Sequence, residues 1–404
     1  MLNLRRHLAQ TELYVFRLVY EKGPISQVKV AQLLGLTRAR ISTIVKKLRE
    51  LQLVIEAGKG MSSEGRGRKE VLLAVNPDAG FVISIHMAFD HFTVALLNLT
   101  GKVLKKVSQP FQLNAPPPIV LSSVSETVRK TIIEHQIQKQ KIFALVITIP
   151  GVIDYRKGVV REITLKGWEG FRLRSYFEEE FDVKVLLEND VKTYTMGELY
   201  FGIGKHVSGM ICLWLGDGIG AGIVSNGQLI RGAGSSAGEI GFNEFILEQP
   251  TNKSILTAGE VHCWGDILSL TNIKATIVRG IEEGWKTSLK PDAQIGDFVE
   301  AVVHGDPLGL YIYRLLSNVL GAIGLNLVYT FNPEILLLSG PLIQHLPQLA
   351  GEVRALLNKG VLHTPIETVE VKTSILGENG LLMGGVALML DYLFGNSGNH
   401  LLDS

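Results

Sequence analysis

Apolar residues recur at helical spacing three times in the first part of the chain. Ser26 precedes the second apolar run and Thr37 precedes the third, and both residue types are favoured at helix N-caps. Gly35 lies between these two runs, where a tight turn needs a residue that tolerates positive φ. Two helices joined by a short glycine-containing turn predict a helix-turn-helix. The three predicted helices are residues 8–21, 27–34 and 38–51.

Two short apolar runs follow, residues 53–56 and 71–75, and they flank a polar segment that reads GKGMSSEGRGRK. Such runs on either side of a glycine-rich segment indicate a β-hairpin. Directly after a helix-turn-helix, this hairpin corresponds to the wing of a winged helix. We therefore expect a winged helix-turn-helix domain over residues 1–76.

From Asn76-Pro77 onward the pattern changes to apolar strands, three of them in close succession, after which helices and strands alternate. A meander followed by this alternation indicates the two-lobe, actin-like or ribonuclease-H-like α/β fold of sugar kinases, with a cleft between the lobes. The three strands of the meander are residues 81–87, 92–97 and 103–107. The predicted lobes are residues 77–195, completed by a terminal helix at about 385–396, and residues 196–384.

Glycines crowd the stretch from residue 215 to residue 242. An apolar strand runs into alternating glycines, and Asn226-Gly227 is typical of a tight hairpin turn. A loop of glycine and serine then leads to Glu239. Glycines at this spacing allow the backbone to lie directly against a ligand, although an ordinary glycine-rich hairpin has the same composition.

Composition is that of a soluble globular protein, with 46% hydrophobic and 20% charged residues, no apolar run of membrane-span length and no signal-peptide core. Two cysteines, Cys212 and Cys263, exclude a disulfide framework and fit the reducing cytoplasm. The net charge of +1 conceals an asymmetry, because residues 1–75 hold 14 Lys and Arg against 6 Asp and Glu. A basic first domain indicates a polyanionic partner.

The third predicted helix carries the residues expected to read DNA. Its first turns correspond to the part of a recognition helix that contacts base edges, and lysines and wing arginines are expected to meet phosphates. A small helical interaction module with a solvated basic face is the alternative. Because helix-turn-helix proteins usually bind two half-sites, we expect operator DNA and a homodimer or a dimer of dimers. The predicted DNA contacts are Thr37, Arg38, Arg40, Ser42, Lys46, Lys47, Arg66 and Arg68.

Several short motifs together resemble the repressor–open-reading-frame–kinase (ROK) family, in the order typical of that family and over almost the whole chain. Within this family, chains that carry a winged head resemble transcription regulators, and chains that lack the head resemble kinases. The general similarity is greatest to xylose-operon repressors. The motifs are SSEGRGR in the wing, Pro150-Gly151, Gly167-Trp168, Glu188-Asn189-Asp190, Gly197-Glu198, the 215–242 stretch and Phe331-Asn332-Pro333-Glu334.

The resemblance implies a sugar site. In the kinases of the family a strand ends in Asn-Asp, where the Asn holds a sugar hydroxyl and the Asp takes the proton of the attacking hydroxyl; Asn189 and Asp190 match this pair. Gly151 and Glu239 match further family positions, and Glu239 is expected to bind other hydroxyls. A carboxylate accepts a hydroxyl hydrogen bond with or without catalysis. A capping or surface role is the alternative for each residue.

The chain departs from the kinases of the family at both phosphate loops. In place of Asp-x-Gly-Gly-Thr it has His86, Ala88, Phe89 and Asp90 at the Asp, Gly, Gly and Thr positions, and its second loop has Asp217 in place of a threonine. A carboxylate about 4 Å from a phosphate charge is repelled by roughly 4 kcal/mol at an effective dielectric constant near 20. We therefore expect no ATP site and no enzymatic activity.

The zinc site of the family is also expected to be missing. Phe242 replaces a histidine, and His262 and Cys263 remain where the family has a cysteine cluster. One histidine and one cysteine cannot complete a tetrahedral structural site. We expect Phe242 and Trp264 to fill the place of the metal by packing, and we expect no metal or other cofactor.

We expect a cytoplasmic transcription regulator, a repressor of sugar-utilisation genes, whose body binds a sugar effector. One alternative is a regulator whose body has lost sugar binding and serves for oligomerisation or for a protein partner. The other is a sugar kinase with an added head, which ATP-dependent phosphate transfer would reveal. The residues do not identify the sugar or the operator sequence.

Overall fold

The computed structural model describes residues 7–59, 70–112, 115–163, 167–246 and 261–395. These residues form two compact units. The first contains the chain up to Thr193 together with the terminal segment from Leu381, and the second contains Tyr194–Gly380. The predicted head is part of the first unit, and the terminal helix returns to the unit in which the chain begins.

The head consists of the predicted three helices and hairpin, which are confirmed. Ser26 Oγ accepts a hydrogen bond from Lys29 N at 3.2 Å, and Thr37 Oγ1 accepts one from Arg40 N at 3.3 Å, so both predicted N-caps are present. Gly35 ends its helix at a φ of 63°, in the left-handed region. The elements are α1 (Gln10–Lys22), β1 (Ile25–Ser26), α2 (Gln27–Leu34), α3 (Arg38–Glu50), β2 (Val54–Lys59) and β3 (Val71–Val75).

The rest of the first unit is built on a five-stranded sheet in the order β10-β7-β4-β5-β6. The predicted meander supplies three antiparallel strands, and β7 and β10 add to it in parallel. The elements are β4 (Phe81–Met87), β5 (His91–Asn98), β6 (Val103–Pro110), α4 (Pro117–Glu134), β7 (Ile142–Ile149), β8 (Val152–Asp154), β9 (Val159–Glu162), α5 (Leu173–Phe181), β10 (Val185–Asn189) and α6 (Asp190–Phe201), the last of which continues into the second unit.

The second unit repeats the plan with a five-stranded sheet in the order β13-β12-β11-β16-β17. The strands of this unit, of which β14 and β15 form a separate two-stranded sheet, are β11 (Met210–Leu215), β12 (Ile219–Ser225), β13 (Gln228–Leu229), β14 (Glu244–Ile246), β15 (Val261–Cys263), β16 (Ile335–Ser339) and β17 (Glu370–Thr373). Its helices are α7 (Gly265–Leu268), α8 (Leu270–Glu282), α9 (Ile295–Val303), α10 (Pro307–Phe331), α11 (Pro341–His345), α12 (Leu349–Leu357) and α13 (His363–Thr368). The terminal helix is α14 (Asn379–Phe394).

One helix in the described part of the chain, α10, is long and apolar enough to cross a membrane by length and composition. Leu316, Leu320 and Val328 of this helix are almost completely buried in the core of the second unit. Its apolar face therefore packs against other parts of the same unit, as the central helix of a globular core does.

Candidate functional site

The third helix of the head, α3, has one buried and one exposed face. Ile41, Ile44, Val45 and Leu48 point into the core of the head. Arg38, Arg40, Ser42 and Lys46 are exposed, as is Thr37, whose hydroxyl caps the helix. Among the described residues, no side chain forms an ion pair with Arg38 or Arg40. The first turns of α3 thus present to solvent two guanidinium groups that pair with no carboxylate in the described part of the chain.

The other predicted DNA contacts have different surroundings. Lys47 Nζ lies 2.7 Å from Glu12 Oε2 and 2.9 Å from the carbonyl oxygen of His7. This lysine therefore ties α3 to the start of α1, and its phosphate contact stays a prediction. Arg66 and Arg68 lie outside the described residues.

Gly151, Asn189 and Asp190, three of the predicted sugar contacts, belong to the first unit and lie at the carboxyl end of β10. Asn189 Nδ2 donates to the carbonyl oxygen of Gly151 at 3.1 Å, and Asn189 Oδ1 accepts from Lys192 N at 3.0 Å. Gly151 has a φ of 95°, and a Cβ there would lie 2.2 Å from the carbonyl oxygen of Glu162. Only glycine fits this position, so Gly151 and Asn189 are held together by local geometry.

Asp190 is the first residue of α6. The helix begins there because Asn189 Oδ1 bonds to Lys192 N and caps it. Asp190 Oδ1 accepts a hydrogen bond from Val191 N at 2.8 Å, and the side chain is half-buried. A carboxylate at a helix N-terminus is stabilised in its charged form, in which it accepts hydrogen bonds from hydroxyl groups.

Glu239 belongs to the second unit. Gly238 precedes it with a φ of 91°, and its carbonyl oxygen accepts a hydrogen bond from Ala221 N at 2.7 Å. A Cβ on Gly238 would lie 1.8 Å from the carbonyl oxygen of Ala221, so the loop lies directly against β12. The glycine therefore fixes the half-buried Glu239 at the end of the predicted glycine and serine loop. Its sugar contact stays a prediction.

The first phosphate loop of the kinases corresponds to the β4–β5 turn. Burial lowers the pKa of His86 to about 3, and nearby His91 and Lys106 act in the same direction. His86 is therefore neutral at pH 7 and cannot act as the metal-side carboxylate. The exposed Asp90 lies with its Oδ1 2.6 Å from His91 Nδ1.

The second phosphate loop corresponds to the β11–β12 turn. Gly216 N donates to the carbonyl oxygen of Gly218 at 3.1 Å, so this amide is used within the turn. Asp217, between the two glycines, is exposed. This turn therefore presents a carboxylate to solvent, and one of its glycine amides donates to the backbone of the turn itself.

The prediction that Phe242 packs in the place of a metal is wrong, because its side chain is 77% exposed. Phe242 ends a 3₁₀ turn in which Ile240 and Gly241 take the buried positions. Trp264 does pack against the core of the second unit, and burial raises the pKa of the Cys263 thiol. In the described ranges no three His, Cys, Asp or Glu side chains are grouped so that they could hold a metal ion.

Tyr20 joins the head to the rest of the first unit through a contact that was not predicted. In the sequence it reads only as one more residue at helical spacing in the first helix. Its hydroxyl donates to the carbonyl oxygen of Leu99 at 2.8 Å, and burial raises its pKa far above the ordinary value. A tyrosine on an apolar face is a usable signal, because a buried phenol usually requires a hydrogen-bond partner.

Comparison with known proteins gives consistent findings. A family model described as ROK family matches residues 82–392. The xylose repressor of Caldicellulosiruptor bescii is 24% identical over 388 residues, which cover 94% of this chain and 95% of the repressor. A glucokinase of Halalkalibacterium halodurans is 24% identical over 298 residues, which cover 72% of this chain and 89% of the kinase. A solved ROK family transcriptional regulator, described as a homolog of the Escherichia coli Mlc protein, has a TM-score of 0.80 at 23% identity and covers 95% of this chain and 96% of its own; this likeness confirms the predicted fold.

Proposed function

The chain belongs to the ROK family, and from this premise we propose that it is a transcriptional repressor of sugar-utilisation genes that binds operator DNA and a sugar effector. The similarity to a xylose repressor over nearly the full length of both chains supports this function. The likeness to a sugar-kinase relative covers a smaller share of the chain. We further propose that the protein is cytoplasmic and binds its operator as a homodimer or a dimer of dimers.

The exposed face of α3 is the single observation that carries DNA binding. Arg38 and Arg40 lie in the first turns of a helix whose N-terminus is capped by Thr37. In a winged helix-turn-helix this part of the helix enters the major groove, where guanidinium groups bond to guanine. Lys46 is exposed further along the same helix and is suited to contact a DNA phosphate. The basic charge of residues 1–75 favours the encounter with DNA.

Effector contacts are proposed at Gly151, Asn189 and Asp190 in the first unit, and a further one at Glu239 in the second. The Asn189 amide has a second hydrogen besides the one bonded to Gly151, and a carboxylate such as that of Asp190 accepts hydrogen bonds from hydroxyl groups. The alternative is a body without sugar binding that serves for oligomerisation or for a protein partner. One observation favours it: both polar atoms of the Asn189 side chain already have partners within the protein.

We propose that the chain is not a kinase. Kinase chemistry needs phosphate-binding loops that accept negative charge, whereas Asp90 and Asp217 bring carboxylates into both loops. His86, neutral at pH 7, adds no cation that would compensate. Binding a nucleotide phosphate there would cost roughly 4 kcal/mol for each carboxylate about 4 Å from a phosphate charge.

The function is tested by fluorescence anisotropy with a labelled duplex from upstream of the protein's own gene. D-xylose, D-glucose and N-acetylglucosamine are added in separate titrations, and an unrelated duplex serves as the control. We expect tight, salt-dependent binding to the upstream duplex that one sugar changes. Tight binding to the upstream duplex that no sugar changes supports the alternative, a body without sugar binding. Equal affinity for both duplexes rules out a specific regulator.

A further inference from the structure

The first helix of the head packs against the terminal helix of the chain within the first unit. The ring of Phe394 lies 5.9 Å from the ring of Phe16 and 6.0 Å from that of Tyr20, measured between centroids. Phe16 and Phe394 are almost completely buried, and Tyr20 also bonds to Leu99. This aromatic contact orders α1 on α14, so α1 is not a freely tethered part of the head.

The end of the recognition helix α3 is attached to the body as well. Gln52, which follows the helix at a φ of 58°, offers its carbonyl oxygen to Asn76 Nδ2 at 2.8 Å, a bond to the last residue of the head. Lys141 Nζ donates to Gln52 Oε1 at 3.1 Å and to the carbonyl oxygen of Ala79 at 3.3 Å. The head is thus joined to the body at two places, one beside α14 and one after α3.

The other end of α14 lies against the segment that carries the proposed effector contacts. A Cβ on Gly384 would lie 2.0 Å from the carbonyl oxygen of Thr193, so the two backbones are in direct contact. Thr193 Oγ1 in turn donates to the carbonyl oxygen of Asn189 at 2.8 Å. Between Gly384 and Phe394 the helix rises about 15 Å. Because the backbones of α14 and Thr193 are in contact at this point, no flexible side chain lies between them to absorb a shift of residues 189–193.

We propose that α14 couples the effector site to the DNA-binding head, with Phe394 and Tyr20 forming the contact that passes the signal to α1. This inference rests on the proposed function. A shift of residues 189–193 on sugar binding is transmitted through the Gly384 contact to a rigid helix and appears at Phe394. A helix packed at both ends is suited to this role, because close-packed elements move as units. Tyr20 and Phe394 are positioning residues in this scheme and contact neither sugar nor DNA.

The test uses Tyr20→Leu in the full chain, with Tyr14→Leu as the matched control, because Tyr14 lies on the same helix with an exposed ring. Phe394→Leu is the second variant, since it removes the ring and keeps an apolar side chain. Operator affinity is measured with and without the sugar of the panel that shifts the wild type. The affinity of that sugar is measured by calorimetry with and without operator DNA, because binding coupling is reciprocal.

We expect the wild type and Tyr14→Leu to change operator affinity about tenfold with sugar, within the usual range of allosteric coupling. In Tyr20→Leu and Phe394→Leu, which each remove one ring of the contact, the change falls below about threefold, whereas Tyr14→Leu behaves as the wild type does; the affinity for sugar without DNA is unaltered in all of them. A full sugar response in both variants overturns the coupling role and leaves the proposed function intact. A wild type that binds the operator but responds to no sugar of the panel overturns the sugar-responsive function and the coupling together.

Discussion

Arg40 lies near the capped start of α3 and is exposed to solvent, and Lys46 lies on the exposed side of the same helix. We expect Arg40→Ala to weaken specific operator binding by about 1–3 kcal/mol, because a bidentate contact to guanine is lost. Lys46→Ala is the matched control: it should weaken binding to all duplexes similarly and reduce the salt slope by about 1. Anisotropy on operator and unrelated duplexes at several salt concentrations separates the two effects. An equal loss on both duplexes for Arg40→Ala would contradict base readout.

Asp190 is the second position at which a single side chain decides function. Its carboxylate is held at the start of α6, with one oxygen bonded to Val191 N. We expect Asp190→Ala to abolish the sugar response, because an acceptor for a sugar hydroxyl is removed, and to leave operator affinity without sugar unaltered. Glu179→Ala, at an exposed carboxylate of the same unit, should change neither. A folded Asp190→Ala protein that no longer binds DNA would show that the assignment is wrong.

At the scale of the element, the N-terminus of α10 depends on one buried carboxylate. Asp306 Oδ1 accepts from Gly309 N and Thr287 Oγ1, each at 2.9 Å, and Oδ2 accepts from Ser288 N at 2.6 Å. Burial alone would raise the pKa of Asp306, but the hydrogen bonds from Gly309, Ser288 and Thr287 lower it below the ordinary value. The charged form is therefore the one that stabilises the fold.

We expect Asp306→Ala to reduce the free energy of unfolding by about 2–3 kcal/mol near neutral pH, since it removes an N-cap and leaves buried donors unpaired. Because the folded pKa is lowered, the charge-dependent part of this contribution is complete above the unfolded pKa of about 3.9 and is lost as the pH falls through the folded pKa. Asp297→Ala, which removes the exposed carboxylate that accepts from Gln294 N, should cost less than about 1 kcal/mol. Urea unfolding at several pH values checks both; a difference between wild type and Asp306→Ala that does not shrink as the pH falls would contradict the charge argument.

Elements defined by local signals were predicted well from the sequence. Caps such as Ser26 and Thr37 act on amides a few residues away, so the sequence around them contains the whole signal. The start of α6 is hard to predict from the sequence because Thr193, Thr195 and other polar residues of this helix are buried, which removes the usual amphipathic pattern. The packing of Phe242 failed for another reason: the direction of a side chain on a 3₁₀ turn depends on backbone geometry that no periodicity reveals.

At the scale of the whole molecule, the order of strands and helices was sufficient to predict the fold, because a meander followed by alternating elements allows few arrangements. The contact of α1 with α14 could not be predicted. Phe16 and Phe394 are separated by almost the whole chain, and each reads as an ordinary apolar residue of its own helix. The candidate site was predictable only as separate residues, since the bond between Asn189 and Gly151 depends on the pairing of β10 with β7.

The absence of kinase activity is the prediction that concerns the whole chain. Phosphate transfer needs two phosphate-binding loops and a catalytic base, and these come from distant parts of the sequence. His86 is neutral above about pH 3, and Asp90 and Asp217 add negative charge where phosphates would bind. We therefore expect no sugar-dependent release of ADP from Mg·ATP with D-xylose or D-glucose, and no effect of ATP on operator affinity. A coupled spectrophotometric assay, with Asp190→Ala as the control, checks the first point, and anisotropy checks the second. Sugar-dependent ADP release by the wild type that disappears in Asp190→Ala would show that the chain is a kinase that acts at this site, because the loss of either the base or the sugar contact stops phosphate transfer there.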